Sequence, residues 1–330
     1  MFWRCPDDAM NIRIAADAAQ DVMDLGVYDL YPSYRDLFTY AGEGSSEVIF
    51  DYQHVQGVNG WSAFGWFAPH SMGGVTDIHP TRALVDEYRM VDGLKIDESP
   101  LYDPSPPVIE DGEVVSLGMY ANRDPRLAAT VIYPGAEFNG AVFNPYPESP
   151  TADRLDRSNF NNTETGFVMK KYVDPEDITE RNNSGINIIK MRYADVLLMY
   201  AEAMNELGQM NEDVWNKTIG ALRQRAGFDN TPLAMDYPTG DQEALRSIIR
   251  NERRVELALE GTRIYDIRRW KTAEIVLNEP YRGAKFDLSS GSLDYYTYGN
   301  NSFNKDRDYL WAIPRQQLTI NPNLGQNPGY

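Results

Sequence analysis

The sequence contains a single cysteine, Cys5, in 330 residues. One cysteine excludes an intramolecular disulfide and any zinc site built on several cysteines. The chain also lacks an apolar run long enough to span a bilayer, and its start, MFWRCPDDAMNIRIAADAAQ, has no basic stretch followed by an apolar one. We therefore expect neither a membrane span nor an export signal within the printed residues.

Positive charge is scarce as well. The chain has 31 Lys and Arg residues against 49 Asp and Glu residues, a formal net charge of -18. This balance keeps the chain soluble and repels phosphate backbones and anionic lipid heads, so nucleic acid is excluded as an expected partner. It also argues against strongly anionic ligands.

Linear catalytic motifs are missing. There is no G-x-S-x-G elbow, no Walker loop and no dinucleotide fingerprint. The three histidines, His54, His70 and His79, form no H-E-x-x-H pair, so no cofactor and no transition metal are predicted. The sequence does not exclude a calcium ion bound by loop carboxylates. It also leaves a glycoside hydrolase or lyase as an alternative function, since such enzymes need no linear motif. The candidate catalytic acids are Asp97, Asp103 and Asp124.

Hydrophobic residues make up 42% of the chain and aromatic residues 12%, enough for a core. Apolar residues at helical spacing predict a helix from Asp7 to Leu25, with Ile12, Ala15, Ala18, Ala19 and Val22 on its apolar face. A short helix should follow Pro32, and SSEVIFDYQHV alternates like a strand. Residues 57–185 are rich in Gly, Pro, Asn and aromatics, which predicts ordered loops with short elements.

Helical periodicity dominates after Ile186. The first predicted helix has an apolar stripe of Leu197, Ala201, Met204 and Leu207 and ends at Gly208. A second predicted helix ends at Gly227. The short connection predicts an antiparallel hairpin. A third helix up to Gly261 and a fourth helix follow. The pairs resemble tetratricopeptide units, although no clean 34-residue period is present.

Charged residues alternate along RNERRVELALEGTRIYDIRRW. Glu252, Glu256 and Glu260 are spaced at i, i+4 and i+8, and arginines lie between and after them: Arg253, Arg254, Arg263, Arg268 and Arg269. Opposite charges at helical spacing favour an ion-pair network between neighbouring helices. A catalytic interpretation would need two carboxylates that converge across a cleft, which helical spacing does not show.

The segment NGWSAFGWFAPHSMGG is the main candidate for ligand binding. Large flat side chains on loops are suited to stack on the apolar C–H faces of sugars, while polar neighbours bond the hydroxyl groups. We predict Trp61, Trp66 and Phe67 as stacking residues and Asn59 and His70 as polar partners. The alternative is that these aromatics belong to the core. For a second cluster, Tyr295, Tyr296 and Tyr298, the core interpretation is favoured.

Several separated segments together resemble the SusD/RagB-like outer-membrane nutrient-binding lipoproteins of Bacteroidetes. In chain order they are NRDPRLAATVIYPG (122–135), MRYADVLLMYAEAMNELG (191–208), LRQRAG (222–227), NERRVELALEGTRIYDIRRW (251–270) and NPNLGQNPGY (321–330). The resemblance spans essentially the whole chain.

The resemblance implies a mainly α-helical fold, in which tetratricopeptide-like hairpins support a loop-rich half with short strands. It implies a non-enzymatic protein that binds oligosaccharides or other nutrients at the outer-membrane surface and delivers them to a SusC-type TonB-dependent transporter. It further implies that the closing segment is an ordered strap with buried apolar residues. These are Leu310, Trp311, Ile313, Leu318, Ile320, Leu324 and Tyr330.

We therefore expect one domain over residues 1–330. Its parts are helices in 1–40, a loop-rich ligand side in 41–185, helical hairpins in 186–278, and a loop with the strap in 279–330. The family's lipoprotein signal and first helices have no counterpart in the printed chain, which resembles roughly the C-terminal two thirds of a member. Membrane association would then depend on a lipid anchor absent from these residues. A pure protein-interaction scaffold is the remaining alternative.

Overall fold

The structure is a computed structural model that describes residues 9–155, 159–228, 231–238, 240–287, 292–294 and 297–330. Its α-helices are α1 (Ala9–Asp24), α2 (Ala63–Phe67), α3 (Arg82–Val85), α4 (Pro125–Thr130), α5 (Tyr193–Glu206), α6 (Glu212–Trp215), α7 (Ala221–Ala226), α8 (Pro232–Met235), α9 (Gln242–Glu256), α10 (Arg263–Arg269), α11 (Ala273–Val276) and α12 (Arg315–Ile320). Short 3₁₀ helices cover Asp36–Phe38, Tyr40–Gly42, His70–Met72, Gly118–Tyr120 and Pro175–Thr179.

The strands form separate antiparallel pairs. They are β1 (Val48–Tyr52) with β8 (Ile188–Arg192), β2 (Val108–Glu110) with β3 (Glu113–Ser116), β4 (Val131–Ile132) with β7 (Val168–Met169), β5 (Glu137–Phe138) with β6 (Ala141–Val142), β9 (Tyr281–Arg282) with β12 (Thr297–Gly299), and β10 (Lys285–Asp287) with β11 (Ser292–Asp294). The prediction of a mainly helical fold with short strands is confirmed.

Helix α5 is the centre of the helical half. It packs against α1 and α9, and its buried residues Ala194, Leu197, Leu198 and Ala201 meet Trp215 and the π turn that joins α6 to α7. The predicted hairpin is therefore present. The first residues of the predicted helical region instead form β8, because the β-branched Ile188 and Ile189 suit a strand and β1 supplies a partner.

The predicted first helix exists as α1, but its apolar face is rotated from the predicted one. Ala16 and Ala19 are buried against α5, whereas Ala15 and Ala18 are exposed. The contacting stripe runs through Ile12, Ala16, Ala19 and Met23, a spacing of four, three and four residues. Small residues on both sides of α1 made either face plausible from the sequence.

The loop-rich half is organised by the segment NRDPR (122–126). Arg123 is buried and donates hydrogen bonds to the carbonyls of Val85, Tyr88 and Met119 at 2.6–3.0 Å. Asp124 caps the N-terminus of α4, and Pro125 begins that helix without an unpaired N–H. This short segment thus binds three main-chain carbonyls of other segments and begins the helix that contains Arg126.

A buried ion-pair network joins the two halves. It consists of five cations and five carboxylates, each almost inaccessible to solvent: Arg126, Lys171, Arg192, Arg223 and Arg225 with Glu47, Asp124, Glu252, Glu256 and Glu260. Arg192 lies 2.7 Å from both Glu47 and Glu256 and 2.8 Å from Glu260. The charges balance, which burial of so many ions requires.

The predicted network between helices is confirmed for the three glutamates, but their partners are different from the interleaved arginines. Arg253 pairs instead with Asp195 and Asp266, and Arg269 pairs with Glu202. Helix α9 also ends at Glu256 rather than continuing to Glu260, since Leu259 adopts a left-handed backbone conformation with φ of 63°. Glu260 reaches the network from the turn.

The prediction that the closing strap buries its apolar residues is wrong. Trp311 is 67% exposed and Ile320 is 68% exposed, and residues 315–320 form α12. Amide side chains order this segment instead: Gln326 bonds both the N–H and the carbonyl of Ile313, and Asn327 donates to the carbonyl of Trp311. Arg268 lies 4.2 Å from the Trp311 ring centre. The strap is fastened by polar contacts.

Replacing Arg192 by Met should lower the free energy of unfolding by about 3–5 kcal/mol, because Glu47, Glu256 and Glu260 would lose a buried partner. Urea denaturation followed by circular dichroism measures the loss. The matched control is Lys217→Met, which breaks an exposed pair with Asp213 and should leave stability nearly unchanged. Equal effects of the two substitutions would contradict the structural role of the network.

Acid should destabilise the fold through the same glutamates. Burial alone would raise the pKa of Glu256, but Arg225, Arg192 and Arg126 hold it well below its ordinary value of 4.5. The pKa values of Glu252 and Glu260 are lowered in the same way. Folded carboxylates with lowered pKa values stabilise the fold above the unfolded pKa, so this stabilisation should decline as the pH falls below about 4.5. Melting temperatures at stepped pH test this: Glu256→Gln should show a shallower decline than the unmodified chain, and parallel curves would contradict it.

Candidate functional site

The segment of residues 181–184 holds the Trp-rich stretch in place. Trp61 exchanges backbone hydrogen bonds of 3.0 and 2.8 Å with Ser184, and the N–H of Gly65 donates to the carbonyl of Arg181 at 2.8 Å. Glycine suits position 65, because a Cβ there would lie 3.0 Å from the carbonyl oxygen of Arg181 and 2.4 Å from Oδ1 of Asn182, which would have to move. Helix α2 is therefore pressed against residues 181–184, and its aromatic side chains are presented from a fixed backbone.

The aromatic rings of this stretch contact one another. The ring centre of Trp61 lies 6.5 Å from that of Trp66 and 5.8 Å from that of Phe67, both in edge-to-face geometry. Trp66 is 46% exposed, while Trp61 and Phe67 are partly buried. Trp66 thus presents an indole to solvent, with two further rings supporting it.

Trp61 has a structural role as well. Its Nε1 donates a 2.7 Å hydrogen bond to the carbonyl of Ile186, and its ring packs on Tyr172. Phe67 packs against two groups of buried hydrophobic residues, one that includes Phe64 and one that includes Tyr34. The core interpretation therefore describes part of Trp61 and Phe67, whereas Trp66 is exposed, and its role in stacking stays a prediction.

Two residues that the sequence analysis did not select extend the aromatic surface. The Tyr52 ring lies 4.9 Å from the His54 ring, which lies 5.6 Å from Trp61. Tyr52 is 58% exposed. We call Tyr52, His54, Trp61, Trp66 and Phe67 the aromatic face. The sequence signal for Tyr52 is in VIFDYQHV, where strand alternation places Phe50 and Tyr52 on one side, but this strand precedes the segment NGWSAFGWFAPHSMGG that was selected.

Asn59 is occupied by its own loop. Its Oδ1 accepts from the N–H of Val55 at 2.7 Å, and its Nδ2 donates to the carbonyl of Gln53 at 3.0 Å. Its main-chain carbonyl accepts a 2.7 Å hydrogen bond from Nδ1 of His54. Asn59 therefore closes the 53–59 loop and orients His54 beside Trp61.

His70 lies in a different polar contact. Its Nδ1 is 2.5 Å from Oδ1 of Asn162, whose Nδ2 donates to the carbonyl of Arg154. The next residue, Ser71, donates its N–H to Asp153. The structure thus brings Trp61, Trp66 and Phe67 together and places Asn59 beside them through His54, while His70 belongs to a separate contact with Asn162.

Comparison with known proteins identifies the family. The model of the SusD family matches residues 37–330. This chain belongs to the SusD family. A SusD-like protein, P2, from Formosa agariphila is 35% identical over 150 residues, which are 44% of this chain and 26% of that protein. The family assignment covers the helical hairpins and the loop-rich half together.

Solved structures share the fold. A SusD-like carbohydrate-binding protein from Bacteroides fragilis is 30% identical with a TM-score of 0.79, over 97% of this chain and 62% of that one. Another SusD-like protein from the same species is 25% identical with a TM-score of 0.74, over 99% of this chain and 63% of that one. The chain thus spans less than two thirds of the length of these relatives.

The three carboxylates considered for an enzyme differ in their accessibility to solvent. Asp124 is 2% exposed and pairs with Arg126 at 2.8 Å, so a sugar bond has no access to it. Asp103 accepts a hydrogen bond from the N–H of Ser105, and Asp97 is exposed on a loop. These three acids are therefore structural or solvent-facing.

The remaining predictions concern a tyrosine cluster, metal binding and membrane-spanning helices. Tyr295, Tyr296 and the side chain of Tyr298 lie outside the described residues. In the described part of the chain, no three His, Cys, Asp or Glu side chains cluster as a metal site would require. Within the same residues, no helix combines the length and apolar character needed to cross a bilayer.

The structure predicts unequal losses of stability when two tryptophans are replaced. Trp61→Ala should lower the free energy of unfolding by about 2–3 kcal/mol, because the ring is partly buried and its Nε1 bond is lost. Trp66→Ala should change it by less than about 0.5 kcal/mol, as for most exposed positions. Urea denaturation of both variants measures the difference, and a larger loss in Trp66→Ala would contradict the assignment.

Proposed function

We propose that this chain binds oligosaccharide non-covalently on the aromatic face, as a non-enzymatic surface glycan-binding protein. The observation that carries the proposal is the exposed indole of Trp66, supported edge-to-face by Trp61 and Phe67 on a backbone fixed to residues 181–184. An apolar ring presented in this way can stack on the C–H face of a sugar without losing conformational freedom on binding.

The extent of the aromatic face suggests a ligand longer than one sugar. Tyr52, His54, Trp61 and Trp66 follow one another, with successive ring centres 4.9, 5.6 and 6.5 Å apart. Tyr52 at one end and Trp66 at the other are both well exposed. Consecutive sugar units could therefore contact the two ends, while the rings between them keep the surface continuous.

Polar partners define the rim of the proposed site. Asn59 acts by fixing His54, whereas His70 is engaged with Asn162 and lies outside the aromatic face. The exposed hydroxyl of Tyr52 is available to a sugar hydroxyl. Sugar recognition of this kind requires no acid or base, which agrees with the buried, paired state of Asp124.

The cellular role proposed for the chain follows from its family. We place it at the outer face of the outer membrane, where it would deliver bound glycan to a SusC-type TonB-dependent transporter. The family membership and the carbohydrate-binding relative from Bacteroides fragilis support this role. Co-purification of the chain with such a barrel, with and without oligosaccharide, tests the delivery step separately from glycan binding.

Trp66→Ala should weaken retention in a polysaccharide-containing native gel by roughly 1–3 kcal/mol of binding free energy, the scale of one stacked aromatic contact. The matched control is Trp311→Ala, which removes another well-exposed tryptophan far along the chain and should leave retention unchanged. Equal retention of Trp66→Ala and the unmodified chain would reject the aromatic face as the site.

The enzyme alternative is tested in the same samples. Chromatography of the polysaccharide after incubation should show no new products, since the proposed site only binds. New products whose formation stops on replacing Asp97 or Asp103 would favour a hydrolase or lyase. Transporter co-purification without glycan retention would favour the scaffold alternative.

A further inference from the structure

The segment of residues 181–184 brings a polar side chain to the aromatic face in addition to its backbone hydrogen bonds. Oδ1 of Asn182 lies 2.4 Å from the position that a Cβ at Gly65 would occupy, and Cγ of Asn182 lies 3.5 Å from it. The Asn182 side chain therefore fills the space beside Gly65, the residue before Trp66 in α2. Adjacent residues of a helix point roughly 100° apart, so this amide flanks the side chain of Trp66.

The Asn182 amide is free to bind a ligand. Residue 182 is exposed, and within the described part of the chain its Oδ1 and Nδ2 make no hydrogen bond. The next residue differs, because Oδ1 of Asn183 accepts a hydrogen bond from the N–H of Gly57 and its Nδ2 donates to Glu180. An unbonded amide offers two N–H donors and an acceptor oxygen, so it can bond two adjacent hydroxyl groups of one sugar.

The hydroxyl of Ser62 lies one helical turn before Trp66. The N–H of Trp66 donates a 2.9 Å hydrogen bond to the carbonyl of Ser62. Residues with this spacing are neighbours on one side of a helix, with Cβ atoms about 5–6 Å apart. Ser62 is half-buried, and its hydroxyl bonds none of the described residues while retaining access to solvent. An unbonded hydroxyl and an unbonded amide therefore accompany the exposed indole.

The charged residues attached to the same stretch have both signs. Asp77, whose N–H donates to the carbonyl of Trp66 at 2.7 Å, and Glu180 are exposed acids. Arg181 is an exposed base, and its Nη1 donates to the carbonyl of Gly73 at 3.2 Å. These three residues together are acidic, so they disfavour an anionic sugar. The net charge of -18 acts in the same direction.

We propose that Asn182 and Ser62 determine the specificity of the aromatic face, by bonding hydroxyl groups of a neutral sugar stacked on Trp66. The inference rests on the proposed function and adds the polar partners and the ligand class. Stacking on an indole requires only an apolar C–H face, which many sugars offer. Hydrogen bonds depend on where the hydroxyl groups lie around the ring, so the amide and the hydroxyl select among sugars that stack equally well.

Isothermal titration of the 330-residue chain with a panel of hexasaccharides tests the ligand class. The neutral probes are cellohexaose, laminarihexaose, xylohexaose and mannohexaose, and the anionic probe is hexagalacturonate. We expect at least one neutral probe to bind about tenfold or more tightly than hexagalacturonate, because the acids near Trp66 repel its carboxylates. Tightest binding of hexagalacturonate would overturn the neutral ligand class, and binding of none of the probes would count against the aromatic face and this inference together.

Variants assign the binding to the two side chains. Asn182→Ala should weaken binding of the tightest neutral probe by roughly three- to tenfold, the scale of one or two hydrogen bonds, and Ser62→Ala by roughly threefold. The matched control, Asn301→Ala, removes another exposed amide that bonds none of the described residues, and it should have no effect. In a Trp66→Ala background, Asn182→Ala should have a smaller effect, because the sugar is no longer held beside the amide.

The outcomes separate this inference from the proposed function. Unchanged binding by Asn182→Ala, an equal loss in Asn301→Ala, or a loss that is the same with and without Trp66 would each reject the role of Asn182. If Trp66→Ala loses binding while Asn182→Ala and Ser62→Ala retain it, the aromatic face stands and the polar pair is rejected. If none of these substitutions changes binding, the aromatic face itself is rejected.

Discussion

The buried network around Arg192 and Glu256 is the constraint on which the arrangement of the two halves depends. Arg192 ends β8 and begins the helical half, whereas Arg126 comes from the loop half through α4. Both contact Glu256, so one carboxylate connects the two. Desolvated ions tolerate little displacement from their partners, since a misplaced charge would be left uncompensated. The network therefore fixes how the loops lie on the helices.

The position of the aromatic face follows from this constraint. Strand β1 carries Tyr52 at one end and begins beside Glu47, whose carboxylate bonds Arg192 and Arg225. Its partner strand β8 ends at Arg192 itself, and residues 181–186 before it hold Trp61 and Gly65. The rings that face solvent are thus attached to segments anchored by buried charge. A rigid surface of this kind loses little entropy when a ligand binds.

The segment between β7 and β8 connects the buried network to the aromatic face. The carbonyl of Lys170 accepts a hydrogen bond from Arg35, Lys171 enters the buried network, and Tyr172 supports Trp61. Tyr172 has a left-handed backbone, with φ of 62°, so the chain turns between the network and the aromatic face. Three adjacent residues thus serve a loop contact, a charged interior and an aromatic support.

The sequence alone determined the main helices, the hairpin and the presence of an ion-pair network, because helical periodicity, glycine stops and charge spacing are local properties. It also selected Trp61, Trp66 and Phe67, since aromatics among glycines and serines are visible in the chain, but it left open which of them is exposed. Tertiary structure decided which face of α1 is buried, that Glu256 pairs with Arg126 and Arg192 from distant segments, and that Asn59 serves its own loop. It also decided that Arg35 meets Lys170. Apart from the short loop of Asn59, these outcomes depend on residues 64 or more positions apart, and local spacing does not encode which distant charges and rings meet.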